Sequence, residues 1–140
     1  MRDLCLTIMA VIGSVMSHFV GGVDTMLIIL CTLFAIDYIS GVLVALVFKK
    51  STKTATGKLN SSVSFKGLLK KIFMICLVGV ANLLDIALGT NFIRGGVIVA
   101  FISNETISLI ENAGLMGIPI PKVLQKAIEI LNEREEENNA

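Results

Sequence analysis

Apolar residues fall in four long blocks: Leu4 to Val20, Val23 to Phe48, Ile72 to Leu88 and Phe92 to Ala113. At about 1.5 Å of rise per residue, each approaches or exceeds the roughly 30 Å hydrocarbon core of a bilayer. The third block extends back through Leu68 and Leu69 if Lys70 and Lys71 snorkel toward an interface. Gly21–Gly22 and Gly89–Asn91 punctuate neighbouring blocks as tight hairpin links. After Gly114 the run "GLMGIPIPK" stops the fourth block with two prolines. From Pro121 to Asn132 the period changes. Val123, Leu124, Ala127, Ile128 and Leu131 share one face of an amphipathic helix, which runs into the acidic end "EREEENNA". The pattern predicts an all-α integral membrane protein. About four transmembrane helices (near 4–20, 23–48, 68–88 and 92–113) make up residues 1–120, and a cytoplasmic amphipathic helix with an acidic tail occupies 121–140.

Composition agrees that the bilayer is the solvent. Hydrophobic residues make up 54% of the 140 and charged residues only 16%, against about 25% charged in an ordinary soluble domain. The charges are sorted by position. Seven of the twelve basic residues are lysines between Lys49 and Lys71, a stretch without an acid, whereas five of the eleven acids lie between Glu129 and Glu137. Lysine-rich loops stay in the cytoplasm, so 49–71 is expected inside and both termini cytoplasmic. The outer links, carrying Asp24 and Arg94, fit that orientation. Asp3 and the lack of a small-residue cleavage site argue against a signal peptide at the start. The polar patch Gly13, Ser14, Ser17 and His18 leaves an interfacial first helix as the alternative to a first span.

No phosphate loop, nucleophile elbow, metal-ligand cluster or nucleic-acid signature is visible, so no enzyme, cofactor or metal is expected. Cys5, Cys31 and Cys76 are widely spaced in apolar segments and read as reduced packing or lipid-facing residues.

The informative residues are polar ones inside the spans. An Asp at a helix centre costs about 2.5–3.5 kcal/mol on insertion scales, so such groups face a partner helix or water. In "ISNETISLIENAG", residues Asn104, Glu105, Ser108, Glu111 and Asn112 fall within about 120° of one helix face. Ser103 and Thr106 lie off that stripe and are expected to bond back to their own backbone. Asp37, Ser40, Gly41 and Val44 share a face of the second span; Gly79, Asn82, Asp85 or Ile86, and Gly89 share one in the third. Ser40, Gly41, Gly79 and Ser108 read as helix-packing residues. Asp37 and Glu105, near mid-span, read as groups that line water or switch state. Arg94 is expected to pair with Asp85 across the short link.

These residues carry a resemblance. The chain resembles the toxin-secretion/phage-lysis holins over nearly its whole length. The likeness rests on "DYISG", on "NSSVSFKGLLKK" entering the third span with Asp85 near its end, on Arg94, and above all on "ISNETISLIENAGLMGIPIP". The resemblance implies a homo-oligomer in the bacterial cytoplasmic membrane that permeabilises it at a set time and releases an endolysin or a toxin. It further implies that Asn104, Glu105, Ser108, Glu111 and Asn112 line or seal an aqueous path, with Asp37 and Asn82 as their buried partners before opening. Internal starts at Met9 or Met16 are compatible with such a family.

Two other classes fit the composition. Mid-span acids suit a small ion or solute transporter or its membrane subunit, although no internal repeat or pair of broken helices is visible. A membrane scaffold that recruits a partner through 121–140 is the third.

Overall fold

A computed structural model of the chain describes residues 1–140, with the side chains of 135, 138 and 139 outside the description. Among the described residues the protein is all-helical: α1 (Arg2–Phe19), α2 (Thr25–Leu43, continued by the π-helical turn Val44–Phe48), α3 (Ser61–Leu88), α4 (Ile93–Leu115) and α5 (Lys122–Asn139). Four of them, α1, α2 with its π turn, α3 and α4, are long and apolar enough to cross a membrane.

Local chemistry sets the ends. Asp24 caps α2 by accepting from Leu27 N–H at 2.9 Å, and Asn60 caps α3 by accepting from Ser62 and Val63 N–H. Gly89 ends α3 in the left-handed region at φ 66°, where a β-carbon would be strained. The π turn ends at Lys49, which also takes a left-handed conformation at φ 53°. Because α3 begins at Ser61, Lys66, Lys70 and Lys71 lie on a helix, and the irregular loop is 49–60.

Helix α4 is the hub, packing along α2 and α3 while those two barely touch each other. The apolar core is Val20, Leu27, Leu30, Phe34, Val78 and Ile98, flanked by Phe19, Met26, Met74, Ile75, Val97, Phe101 and Ile102. Outside it, Phe73, Leu83, Leu84, Ile86 and many other large apolar side chains are exposed, as suits helices bathed in lipid. Cys5, Cys31 and Cys76 are on exposed faces with free thiols. Apolar contact gives little drive for helix association in lipid, so the polar ties between helices decide how they are arranged.

Helix α1 buries none of its residues. It is held at its C-terminal end, where Gly79 lets the Phe19 ring lie on α3; a β-carbon at 79 would overlap that ring. Helix α5 touches α4 and half-buries Ile128 and Leu131, but leaves Val123 and Leu124 exposed.

Candidate functional site

Two polar clusters lie at opposite ends of the core. Lys71 is 14 residues before Asp85 on α3, which puts the clusters about 20 Å apart along the helix at 1.5 Å per residue.

The first cluster joins the hairpin links. Arg94 binds Asp24 through both guanidinium ends, Nη1 to Oδ2 at 2.6 Å and Nη2 to Oδ1 at 3.3 Å. It also donates from Nε to the Val20 carbonyl and from Nη2 to the Gly22 carbonyl at 3.0 Å. One side chain on α4 thus fastens the α1–α2 link. The hydrogen bond from Arg94 holds the Asp24 carboxyl below its ordinary value.

The expected Arg94–Asp85 side-chain pair does not form. Asp85 instead accepts the backbone N–H groups of Ile93 at 3.1 Å and Arg94 at 2.8 Å, and the Thr90 hydroxyl at 2.6 Å. The first turn of α4 has unsatisfied N–H donors and Phe92 offers no side-chain cap, so Asp85 caps α4 from the neighbouring helix. Asn82 belongs to this end too. It donates to the Phe19 carbonyl at 3.2 Å and does not meet the stripe on α4, contrary to the role the resemblance implied.

The second cluster ties three helices. Lys71 of α3 donates to Asp37 of α2 at 2.9 Å and to Glu105 of α4. The side chains of Lys71, Asp37 and Glu105 are only 13%, 5% and 4% exposed. The Lys71 ammonium also stands 4.9 Å from the centre of the Phe34 ring. Asn112 extends the network, donating to Asp37 Oδ1 at 3.2 Å and to Ser40 Oγ at 2.9 Å. Ser40 in turn donates to the Asp37 carbonyl. Gly41 faces Asn112 across this seam, where a β-carbon would make an ordinary van der Waals contact at 3.8 Å from Asn112 Nδ2, so the approach of α4 does not depend on glycine there. Among the described residues no buried side-chain nitrogen or oxygen lacks a partner.

The polar stripe of α4 is split by this packing. Glu105 and Asn112 are buried, Ser108 is half-buried, and Asn104 and Glu111 are exposed. All five line one cavity of about 360 Å³ between α2, α3, α4 and the 49–60 loop. Asp37, Lys70 and Lys71 also line it, and Ser51 to Thr54 bound it on the loop side. Off the stripe, Ser103 and Thr106 donate to the carbonyls of Val99 and Ile102. Among the described residues no group of three His, Cys, Asp or Glu side chains is placed to hold a metal.

Lys71 is the residue that sequence reasoning missed. Taken as a snorkelling lysine, it points inward instead. A signal was present: two mid-span acids need a counter-charge, and Lys70 and Lys71 run directly into the third apolar block.

Comparison with known proteins decides the family. The bacteriophage holin family matches residues 14–133, which include both clusters and the whole stripe. The chain belongs to the bacteriophage holin family. An uncharacterized Listeria monocytogenes protein is 35% identical over 127 residues, 90% of this chain and 85% of that one. An uncharacterized Halalkalibacterium halodurans protein is 38% identical over 128 residues, 87% of this chain and 89% of that one. A 14.9 kDa Clostridium perfringens protein encoded in the nagH 3' region is 32% identical over 125 residues, covering 88% and 89%. No solved structure matches the chain. In this holin-family protein the two clusters are the polar groups that connect membrane helices, and the cavity beside the triad is the candidate site.

Proposed function

We propose that the protein accumulates in the bacterial cytoplasmic membrane as closed subunits and then assembles into a homo-oligomeric lesion that releases an endolysin or a toxin. Four spans with the lysine-rich 49–60 loop inside would leave both termini and α5 in the cytoplasm. Family membership supports the holin role.

One observation carries the mechanism: the stripe on α4 is held against α2 and α3 by charge-assisted bonds inside one subunit. Exposed to lipid, Glu105 and Asn112 would be costly. Bound to Lys71, Asp37 and Ser40, they are satisfied, and the subunit is harmless. If subunits assemble with α4 turned toward a common axis, the same stripe meets water and its cost disappears. Asn104, Glu105, Ser108, Glu111 and Asn112 then form the wall of the path, and Asp37, Ser40 and Lys71 are the contacts given up. Asn82 and Asp85 stay with Arg94 as the fixed end of the bundle.

The test is induced expression in bacteria holding a cytoplasmic reporter enzyme, with membrane potential and reporter release recorded together. Sudden depolarisation with reporter escape is expected, and Glu105→Leu should insert yet fail to permeabilise. Unchanged lysis timing in that variant would overturn the assignment of the stripe. Saturable, substrate-selective flux without reporter escape would favour the transporter reading, which the mid-span carboxylates beside a cavity also suit.

A further inference from the structure

We propose that the Lys71–Asp37–Glu105 triad is a proton-binding site: the two carboxyl groups share one proton, which exchanges with the loop side through the cavity. Two carboxyl groups meet one ammonium, and all three side chains are nearly buried. With both acids ionised the triad carries one uncompensated negative charge inside the bundle.

Other charges do not cancel it. The groups facing the cavity are Asp37 and Tyr38 from α2, Lys53 from the loop, Lys70 and Lys71 from α3, and Glu105 and Glu111 from α4. Lys53 and Glu111 are exposed and Lys70 is exposed at the helix surface, so water screens them. Among the described residues Lys71 is the cation in contact with either buried carboxylate. An unbalanced buried charge costs several kcal/mol, and a proton is the smallest ligand that removes it.

The cavity supplies the route. Its 360 Å³ has room for about ten waters at roughly 30 Å³ each. Its walls carry the donors and acceptors of Thr54, Ser64, Asn104, Ser108 and Asn112. Beyond the triad, Phe34, Leu30, Val78 and Ile98 form dry core, so access is from one side. The protonated triad is neutral and suits the closed bundle. Deprotonation leaves a net negative charge that favours hydration and loosening of the α2–α4 contact.

The site belongs to the single subunit, so this inference stands or falls independently of lesion formation. Purified protein in lipid nanodiscs is melted across a pH range of about 5 to 9, and the infrared band of protonated carboxyl groups is recorded on the same samples. In the wild type the folded state should weaken as pH rises, by about tenfold in the equilibrium per pH unit for one proton. Glu105→Gln keeps an acceptor for Lys71 and removes one ionisable oxygen pair. It should flatten that dependence and lose the infrared band, whereas Glu111→Gln should change neither. The wild-type band alone decides the matter if the Gln variant does not fold. A flat wild-type profile, a band that survives Glu105→Gln, or a stability set by sodium or potassium concentration in place of pH would overturn the proposal.

Discussion

The Lys71 ammonium donates to the Asp37 carboxylate at 2.9 Å across the seam where α2 and α3 otherwise barely meet. The same ammonium reaches Glu105 on α4, so one lysine stands between three helices. Removing one member of a buried ion pair strands the others and costs about 3–5 kcal/mol. Lys71→Met should therefore destabilise the purified protein by about that amount, read from chemical or thermal unfolding in detergent micelles. In cells it should advance the onset of lysis. A variant as stable as the wild type would mean that the triad does not hold the bundle.

Asp85 predicts a different pattern, because it acts as a cap and not as an ion-pair partner. Asp85→Asn keeps an acceptor for only one of the two N–H groups, since Ile93 bonds to Oδ1 and Arg94 to Oδ2, and should lose part of the cap's stabilisation. Asp85→Ala should lose about 1–2 kcal/mol, the usual cost of deleting a cap. Equal losses in the two variants would mean that a single accepting oxygen contributes nothing to the cap.

The seat of α1 depends on the missing side chain at Gly79. A β-carbon there overlaps the Phe19 ring, so Gly79→Ala should free the end of α1 and speed protease cleavage at Gly21–Gly22. Phe19→Ala in the same chain should relieve the clash and slow cleavage again. Rescue is the decisive outcome, since unrelated damage at residue 79 would not respond to residue 19.

Acid should weaken the opposite cluster. The hydrogen bond from Arg94 lowers the Asp24 carboxyl from an ordinary value of 3.8. Its stabilising contribution is complete above about pH 4 and disappears as pH falls through the lower folded-state value. Asp24→Asn should be less stable than wild type at neutral pH, and the difference should shrink in acid. Asp24 is half exposed, so a modest difference is expected. A gap that widens in acid would contradict this sign.

The helices were legible because length and apolar run suffice to define a span, and the stripe on α4 because it is a property of one helix. The back-bonding of Ser103 and Thr106 was legible for the same reason. Pairings between helices were not. Arg94 and Asp85 are nine residues apart and of opposite charge, yet the N–H groups of the first turn of α4 claim the carboxylate and release the guanidinium to Asp24. Lys71 lies 34 residues from each partner, and nothing local says which way it points. Asn82 shares a face with Asp85, but that face meets the end of α1.

On the proposed mechanism α2 and α4 separate before the membrane leaks. A β-carbon at Gly41 would stand 3.8 Å from Asn112 Nδ2 across that contact, so Gly41→Cys and Asn112→Cys are oxidised after Cys5, Cys31 and Cys76 are replaced, and mass spectrometry verifies that the disulfide forms within one chain. The measurement is release of entrapped dye from vesicles bearing this protein, before and after a reductant is added. Dye should be retained while the disulfide is formed and released abruptly on reduction. Equal release from the oxidised and reduced protein would contradict the mechanism.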